Sequence, residues 1–363
     1  MSTQKIRPAD PSDINAAVHL LRMRDQQEHP TAAVADYLFN FDADRMLAWL
    51  AYLDDQPVGI NTLYLRRVRW CGETIRAGYW AHLFVDPQFR KLMIYPQLVA
   101  AMIRGAREAG LDVIYTGTRR AQVAEAHTKI GFTQVGVLTV LFKPLRPARL
   151  VAKHKGLGRA VEAVTSPLDA LYLGYLSLRR PTCPQTFDVE AFDADSLDAE
   201  SPVIHDVSQM FDDPALRSVS QEWTPEYFHR RFSTTIEGRP YTILTAHASG
   251  RLTAAVVYRV AERGDRRIRA GVIMNILGAE ESPAAAAGLL AEAERRVVRA
   301  GGEVMLWLDG ASTELSELLA TLGYRKSPET YYILVWPKDR AVADSPAADL
   351  ANWRFTFADH DAF

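Results

Sequence analysis

An internal repeat restricts the fold of this chain more than any other feature of its sequence. Each half reads as three strands, a helix, a fourth strand, a second helix and a final strand. The first series covers residues 46–143, and the second covers residues 241–336. Strands that alternate with helices are typical of α/β folds, and a repeated order of elements indicates a duplicated unit. The sequence therefore predicts two copies of one α/β fold.

The glycines that follow the helices have nearly the same spacing in the two series. Gly110 and Gly131 are 21 residues apart, and Gly301 and Gly323 are 22 residues apart. A glycine just past a helix suits a left-handed cap, but this local reason does not account for matched intervals. The predicted strands are 46–53, 58–69, 75–85, 113–116 and 137–143, then 241–246, 252–260, 268–276, 304–309 and 331–336. The predicted helices are 96–109, 119–130, 283–300 and 312–322.

Composition and charge exclude several classes of protein. The 363 residues correspond to two or three domains of ~150 residues. The chain has 42 basic and 44 acidic residues, so it lacks an overall basic field that would hold nucleic acid. Cys71 and Cys183 are too few for a disulfide framework or a cysteine zinc cluster. The apolar runs are far shorter than the ~20 residues of a membrane helix, and the N-terminus has no apolar signal core. We expect a cytoplasmic protein without a metal, a membrane span or a nucleic-acid partner.

The region between the two series is unusually basic. We expect a first domain over residues 1–145, a basic helical linker over 146–186 and a second domain over 187–363. Residues 146–159 contain five Lys and Arg residues and no acid. An apolar helical stripe follows at Leu168, Leu171, Tyr172, Tyr175 and Leu176. One interpretation is a linker helix that packs across both domains with its charges solvated. The other is a basic surface for an anionic substrate or lipid headgroups, with peripheral membrane contact through 146–159.

The loop after the third strand of the first copy has the features of an anion site. The strand predicted at 75–85 leads into a loop that contains Arg90 and Lys91, and a helix follows with Pro96 in its first turn. Free N–H groups and the dipole at a helix start favour negative charge. Basic side chains add charge-assisted hydrogen bonds to phosphate. The signal alone has low specificity, because a basic residue before a helix is common.

The motif Val85-x-Pro87-x-Phe89-Arg90, followed by a helix, a strand, a helix and Gly131-Phe132, resembles the GNAT superfamily of N-acetyltransferases. The resemblance covers roughly residues 6–144, and the second copy resembles the same fold without the loop signature. It implies an α/β fold of two GNAT-like domains, each a mixed, mostly antiparallel twisted sheet flanked by helices. It also implies acetyl-CoA or another acyl-CoA as co-substrate, and a small-molecule amine or amino sugar as acceptor.

The resemblance also implies positions for coenzyme A. In the family, the backbone of the strand before the loop binds the pantetheine arm, and the loop and next helix bind the pyrophosphate. Carried over, the pantetheine positions are Leu83, Phe84 and Val85, and the pyrophosphate positions are Arg90, Lys91, Leu92, Met93, Ile94 and Tyr95. Arg120 is a candidate for a coenzyme A phosphate, or else a solvated residue. The three usual glycines of the loop are Lys91, Met93 and Tyr95 here, which removes backbone freedom and narrows the cradle.

The second copy lacks these features. Its equivalent loop, residues 278–283, has Glu280 and Glu281 and no base, and carboxylates there would repel a pyrophosphate. We therefore expect a degenerate second copy that shapes the substrate cleft or stabilises the first copy. Four of its residues are candidates for contact with an anionic acceptor, or else belong to an ordinary capped helix: Trp223, Tyr227, Arg230 and Arg231.

Acyl transfer to an amine needs a group that removes a proton from the ammonium. The family often uses a glutamate on the strand before the loop, and that position is Tyr79 here. It often uses a tyrosine on the last helix, and that position is His127, which shares a helical face with Val123 and Ile130. His127 is a candidate base or acid near its ordinary pKa of ~6.5, or else a packed histidine. His82 is a candidate proton relay or a core histidine, and Tyr79 lines the acceptor site or packs in the core.

Three functional hypotheses follow. The first is an acyl-CoA-dependent N-acyltransferase in which the first copy holds the donor and the second helps to form the acceptor cleft. The second is a ligase-like transferase that uses aminoacyl-tRNA, which the near-neutral charge disfavours. The third is a non-catalytic degenerate pair that binds a metabolite or a protein partner, which the missing loop glycines favour. The acceptor, the acyl length and the oligomeric state are not determined by the sequence.

Overall fold

The computed structural model describes residues 3–25, 29–39, 46–157, 164–184, 186–212, 218–233, 241–263, 267–336 and 345–360. The strands of the first half are β1 (Gln4–Pro8), β2 (Met46–Leu53), β3 (Gln56–Trp70), β4 (Glu73–Val85), β5 (Val113–Thr118) and β6 (Thr133–Pro144). Those of the second half are β7 (Asp188–Asp193), β8 (Val219–Gln221), β9 (Thr242–Ala248), β10 (Arg251–Arg263), β11 (Ile268–Leu277), β12 (Val304–Leu308) and β13 (Arg325–Trp336).

The helices lie on both faces of these strands. In the first half they are α1 (Ile14–Asp25), α2 (Thr31–Phe39), α3 (Ile94–Glu108) and α4 (Ala121–Lys129). The linker forms α5 (Pro147–His154) and α6 (Ser166–Arg179). In the second half they are α7 (Pro202–Phe211), α8 (Pro225–Ser233), α9 (Pro283–Arg299) and α10 (Thr313–Thr321).

All the strands belong to one sheet. Its order is β1-β2-β3-β4-β5-β13-β6-β12-β11-β10-β9-β7, and β8 pairs with β3 outside this path. Two adjacent pairs are parallel, β4 with β5 and β11 with β12, and the other pairs are antiparallel. The predicted mixed, mostly antiparallel fold is therefore confirmed, and the same parallel pair recurs in each half.

The two halves exchange their final strands. β13, the last strand of the second half, pairs with β5 of the first half, with Leu334 opposite Thr116. β6, the last strand of the first half, pairs with β12 of the second, with Leu141 opposite Trp307. β6 and β13 also pair with each other at the centre of the sheet. The domain boundary predicted after residue 145 stays a proposal about the sequence repeats, and the sheet runs continuously across it.

The two faces of the sheet are covered differently. One face carries a single apolar core that spans both halves, from Leu20 of α1 through Tyr79 of β4 to Phe211 of α7. The other face carries two separate cores. α3 covers the first with Leu98 and Met102, and α9 covers the second with residues such as Leu289 and Leu290. The shared core packs the two halves against each other.

The C-terminal segment 345–360 closes this shared core. The N–H of Arg354 donates to the carbonyl of Val219, and the N–H of Phe355 donates to Gly310. Trp353, Phe355 and Phe357 are buried. The segment brings His360 to the centre of the molecule, where its ring lies 6.2 Å from that of Tyr79.

The linker is anchored to the second half. Asp169 of α6 is buried and accepts hydrogen bonds from the N–H groups of Ala148 and Arg149, at the start of α5. Lys153 of α5 pairs with buried Glu303 at 2.9 Å, and Arg149 lies 3.7 Å from the same carboxylate. In the part of the chain that the structure describes, no helix is both long and apolar enough to cross a membrane.

Candidate functional site

A cavity of about 1520 Å³ lies between the two halves and receives side chains from both. The structure brings most of the predicted site residues to its wall: Tyr79, His82, Leu83, Phe84, Val85, Arg90, Tyr95, Arg120 and His127. Four predicted pyrophosphate positions do not line it, namely Lys91, Leu92, Met93 and Ile94. The first copy thus contributes one continuous site, built from β4, β5 and the starts of α3 and α4.

The parallel strands β4 and β5 diverge inside this cavity. They pair only between Ala77–Tyr79 and residues 113–115. Beyond that point the hydroxyl of Thr116 donates to the carbonyl of Trp80 at 3.0 Å, and the pairing ends. β4 stays paired with β3 as far as Val85. A wedge opens between residues 81–85 and 116–118, which all line the cavity, and the β5 side of β4 is left open for an extended ligand.

A β-bulge distorts β4 at the mouth of the wedge. Ile60 of β3 faces Phe84, but Thr62 faces Ala81, so His82 and Leu83 share the single opposing residue Asn61. His82 has a φ of 50°, a left-handed conformation that is uncommon for a non-glycine residue. Bulges bend a strand and redirect its side chains. Here the bulge turns the ring of His82 away from the regular alternation of the strand.

His82 is held by hydrogen bonds at both ring nitrogens. Arg24 of α1 donates to Nδ1, so the proton of the neutral ring is assigned to Nε2, which donates to the hydroxyl oxygen of Tyr64 at 2.6 Å. Burial and the charge of Arg24 hold the pKa of His82 well below its ordinary value. Arg24 is in turn paired with Asp25, whose carboxylate also contacts His29 at 2.9 Å. The cluster connects α1 to the open edge of β4.

The partly buried carboxylate of Asp25 in this cluster stays ionised. Burial acts to raise the pKa of Asp25, but hydrogen bonds from His29 and Arg24 act against it, and the net effect is a lowered pKa. A negative charge therefore lies beside the positive charge of Arg24 at the cavity wall.

His127 is buried on α4 without a hydrogen-bond partner. Its ring stacks on Trp80, with centroids 4.2 Å apart, and lies 5.5 Å from the ring of Phe132. Neither ring nitrogen has a hydrogen-bond partner among the described residues. Burial lowers the pKa of His127 to about 4, so the ring is neutral at pH 7. The neutral ring thus keeps one donor and one acceptor that are unpaired among the described residues, and both nitrogens are buried behind the cavity surface.

The loop before α3 folds without its usual glycines. Asp86 caps a short 3₁₀ helix over Pro87–Leu92, and Met93 follows with a φ of 57° before α3 begins at Ile94. Met93 thus adopts a backbone conformation that favours glycine, and its side chain is 64 % exposed. It points away from the cavity, while Ile94 is fully buried in the core under α3.

The two remaining residues of this loop region reach the cavity. Arg90 lies at the wall and directs its Nε towards the carbonyl of Val85 at 3.4 Å. The hydroxyl of Tyr95 is buried and has no hydrogen-bond partner in the described part of the chain. Burial raises the pKa of Tyr95 to about 12. Both side chains lie near the start of α3, where the helix dipole favours an anion.

The second half supplies a group of arginines that the sequence analysis largely missed. Arg231 was one of four candidates on or just before α8, and it lines the cavity, whereas Trp223, Tyr227 and Arg230 do not. Arg259 and Arg263 of β10 line it as well and were not predicted. Arg259 and Arg263 are four residues apart on a strand, a spacing that is also common at protein surfaces. The sequence alone therefore does not indicate that they belong to a site.

Known proteins resemble this chain in a part of its sequence and in its overall fold. The sequence model of the Acetyltransferase (GNAT) family matches residues 14–132. A tandem GNAT protein from the clavulanic acid biosynthesis pathway shares 14 % identity, with a TM-score of 0.61 over 92 % of this chain and 98 % of that one. Saccharomyces cerevisiae N-myristoyltransferase with bound myristoyl-CoA shares 11 % identity, with a TM-score of 0.64 over 93 % and 83 %.

A further similar structure is a conserved protein of Enterococcus faecalis V583, described as a probable N-acyltransferase. It shares 11 % identity, with a TM-score of 0.62 over 92 % of this chain and 72 % of that one. No curated protein matches the sequence.

The splayed sheet and its similar structures define an α/β protein with the tandem GNAT fold. Residues 14–132 carry the family-specific sequence signal, which lies in the first half, and the similar structures share the fold over both halves. The fold predicted from the motif around Val85 is therefore confirmed, and the GNAT family model matches the segment that contains this motif.

Proposed function

We propose that this chain is an acyl-CoA-dependent N-acyltransferase that transfers an acetyl or related acyl group to the amine of a small molecule or amino sugar. The observation that carries the proposal is the wedge between β4 and β5, which opens into a cavity shared by both halves. The GNAT family match supports an acyl-CoA donor in general, and a neighbour of the same fold holds myristoyl-CoA. The donor makes the cytoplasm the proposed compartment.

The open edge of β4 is the proposed donor site. The backbone of Leu83, Phe84 and Val85 lines the wedge and offers N–H and C=O groups to the amides of the pantetheine arm. The pyrophosphate would lie at the start of α3, near Arg90, with Arg120 at the start of α4 as a second cation. Lys91 and Met93 border this site outside the cavity wall.

The positive charge of the cavity wall promotes the loss of a proton from the ammonium group of the acceptor. In the described lining, seven arginines face three carboxylates, and positive surroundings lower the pKa of an amine. A weak base is then sufficient, and the proposed base is neutral His127, whose buried ring nitrogens have no hydrogen-bond partner among the described residues. The amine nitrogen attacks the thioester carbonyl, the C–S bond breaks, and the thiolate takes a proton. Tyr79 and His82 are the proposed groups of the acceptor side.

The donor site is tested by calorimetric titration of acetyl-CoA into the wild type and an Arg90→Ala/Lys91→Ala variant. We expect micromolar binding, ~8 kcal/mol, that weakens in the variant. The control is Arg104→Ala, an exposed arginine on α3 outside the cavity. Equal affinity in all three proteins would contradict the proposed phosphate site.

Turnover is tested by release of free thiol from acetyl-CoA in the presence of small amines and amino sugars. We expect His127→Ala to lose most of the rate while it keeps its affinity for acetyl-CoA. Binding without turnover across the panel would favour the non-catalytic hypothesis, and binding of tRNA at physiological salt would favour the aminoacyl-tRNA hypothesis.

A further inference from the structure

The cavity wall is cationic well beyond the proposed coenzyme A site. Among the described residues, the carboxylates of the wall are Asp25, Glu262 and Glu329, and its arginines are Arg24, Arg90, Arg119, Arg120, Arg231, Arg259 and Arg263. Only Arg90 and Arg120 lie at the starts of α3 and α4. The excess of positive charge therefore extends to the part of the cavity that the second half forms.

A chain of contacts connects this charge to β4. The ring of His360 lies 6.2 Å from that of Tyr79, and its carbonyl accepts a hydrogen bond from Nη2 of Arg231 at 3.1 Å. Nη1 of Arg231 donates to the hydroxyl of Tyr241 at 3.0 Å, and Arg259 lies over that ring at 5.2 Å. His360 thus lies between the arginines of the second half and Tyr79 of β4, the strand that carries the proposed donor site.

The carboxylates of the wall already share their charge with several cations. Glu329 contacts Arg119 at 3.0 Å and Arg263 at 3.2 Å. Glu262 pairs with Arg267 and Arg269, which lie outside the cavity wall. The net charge of the described wall is therefore positive.

The positive charge of the wall also affects the pKa of His360. Burial lowers its pKa well below the ordinary value, and the charges of Arg119, Arg231, Arg263 and Arg66 lower it further. Arg259 is only 3 % exposed.

We propose that Arg231, Arg259 and Arg263 bind an anionic group, a carboxylate or a phosphate, of the amine acceptor. This inference rests on the proposed function and specifies its substrate class. The guanidinium groups would hold the anion at the second half, and the amine would extend past His360 and Tyr79 towards the thioester. The second copy then determines which acceptor the enzyme accepts.

Matched amines test the charge requirement. Thiol release from acetyl-CoA is measured with glucosamine 6-phosphate against glucosamine, and with β-alanine against β-alaninamide, so that the two pairs separate phosphate from carboxylate. We expect kcat/KM to be at least about tenfold higher for the anionic member of one pair. Equal or better use of the neutral members would overturn the inference while the acyltransferase proposal stands.

A second arm assigns the anion to these arginines. Arg263→Gln is the primary variant because its side chain is partly exposed, and Arg231→Gln is the second. We expect the acceptor KM to rise about tenfold with little change in kcat or in acetyl-CoA affinity. Arg267→Gln, an exposed arginine outside the cavity wall, should leave all three unchanged. Weakened acetyl-CoA binding in Arg263→Gln and Arg231→Gln would assign the arginines to the donor and overturn the inference.

The same variants separate this inference from the proposed function. If no amine is acylated, calorimetric titration of glucosamine 6-phosphate and glucosamine still compares anion binding in the wild type and Arg263→Gln. Phosphate-selective binding that the variant loses would support the anion site without acyl transfer. Equal binding of both sugars would overturn it.

An independent observation concerns the surface of α6. Leu168, Leu171, Tyr175 and Leu178 are 61 %, 74 %, 48 % and 87 % exposed, and their spacing places them on one face of the helix. The predicted stripe is therefore mostly uncovered, and Leu176 is its buried member. Isolated exposed leucines are ordinary, but a contiguous apolar face indicates an interaction surface.

The charges around this face are positive. In the described ranges 146–157 and 164–184, Asp169 is the one acid, and it is buried at the start of α5. Lys155 and Arg179 are exposed, and Arg179 lies over the ring of Tyr175 at 4.9 Å. A second copy of this chain would bring like charges together, whereas an anionic lipid surface complements them.

We infer that α5 and α6 dock onto an anionic membrane surface, with the apolar face of α6 among the headgroups. Leu150, Val151 and His154 of α5 line the cavity, so docking would place the cavity close to the bilayer. The structure thus assigns membrane contact to the exposed face of α6 rather than to the basic residues of α5 that pair with Glu303.

Vesicle sedimentation of the full chain tests this surface. We expect binding to phosphatidylglycerol/phosphatidylcholine vesicles, weak binding to phosphatidylcholine alone, and loss of binding in Leu171→Gln/Leu178→Gln. Val189→Gln, an exposed apolar residue on β7, is the control. No binding to the anionic vesicles would overturn the inference. A dimer in light scattering that Leu171→Gln/Leu178→Gln dissociates would also overturn it, and would assign the face to a second copy.

Discussion

His127 is a buried residue with a titratable ring, and this makes the stability of the fold sensitive to acid. Its pKa of about 4 in the folded chain lies below the ~6.5 of an unfolded chain, so the unfolded state binds the proton first as pH falls. The contribution to stability is complete above pH ~6.5 and decreases between pH ~6.5 and ~4. His82 and His360 have lowered pKa values as well and act in the same direction.

We therefore expect His127→Phe to reduce the acid sensitivity of the chain. Phenylalanine keeps the stacking on Trp80 but does not titrate. From pH 7.5 to pH 5, the wild type should lose about 2 kcal/mol more unfolding free energy than the variant, measured by urea denaturation. His19→Phe, at an exposed position on α1, should keep the slope of the wild type. Parallel pH profiles for the wild type and His127→Phe would show that His127 does not titrate as a buried group.

Met93 shows how the loop tolerates the loss of a glycine. A non-glycine residue at a φ of 57° destabilises the folded state by roughly 1–2 kcal/mol. Glycine would remove this strain, but its greater conformational entropy in the unfolded chain would offset part of the gain. We expect Met93→Gly to raise the free energy of unfolding by up to ~1 kcal/mol, measured from the urea midpoint. Leu92→Gly, in the preceding 3₁₀ helix, should lower it. A destabilised Met93→Gly would mean that the exposed methionine makes contacts worth more than its strain.

At the scale of single residues, the sequence indicated which residues lie near the cavity better than it indicated their hydrogen-bond partners. His127, His82 and Tyr79 were predicted as catalytic candidates, and all three line one cavity, while their catalytic roles stay predictions. The partners of His82 were not predicted, because Arg24 reaches it through packing of α1 and because a β-bulge leaves no periodic signal. Arg259 and Arg263 of β10 were not predicted either, because only the tertiary structure brings them into the cavity wall.

Among the elements, most predicted bounds lie within two residues of those observed, but β6 begins four residues and β13 six residues earlier than predicted. β2 was predicted and observed at 46–53, and α9 was predicted at 283–300 and observed at Pro283–Arg299. α3 begins two residues earlier than predicted because the chain enters the helix directly after Met93. Hydrophobic periodicity and glycine caps are local signals, so bounds follow from them, whereas pairing between distant strands does not.

A buried ion cluster connects three elements and should be sensitive to one substitution. Glu294 of α9 contacts Lys143 of β6 at 2.6 Å and Arg180, just after α6, at 3.2 Å. Glu294→Gln would leave two buried cations without their carboxylate, so we expect a loss of about 3–5 kcal/mol of unfolding free energy. Glu292→Gln on the same helix, whose arginine partners are more exposed, should cost less than about 1 kcal/mol. Similar losses for the two variants in urea denaturation would contradict a buried cluster.

For the molecule as a whole, the exchanged strands and the shared core predict one cooperative unit. Unfolding either half would remove β13 from β5 or β6 from β12, so the halves should not melt separately. We expect a single calorimetric transition whose van't Hoff and calorimetric enthalpies agree. Two resolved transitions would show that the halves unfold independently.

The exchange could not be predicted from the sequence, although the repeat was found. The final strand of each copy has the same pattern whichever neighbour it joins, because pairing within or between copies buries similar side chains. The choice depends on the path of the chain through the linker and on the packing of the C-terminal segment, which are properties of the complete fold.

The crossed strands also limit how this protein can change over generations. A substitution in β13 has to suit β5, which lies in the other repeat, so neither copy can drift alone as an independent module. A recombinant that takes one repeat from a distant relative would carry a final strand matched to an absent neighbour. The two halves are similar, but the exchange of their final strands makes substitutions in one half depend on the residues of the other.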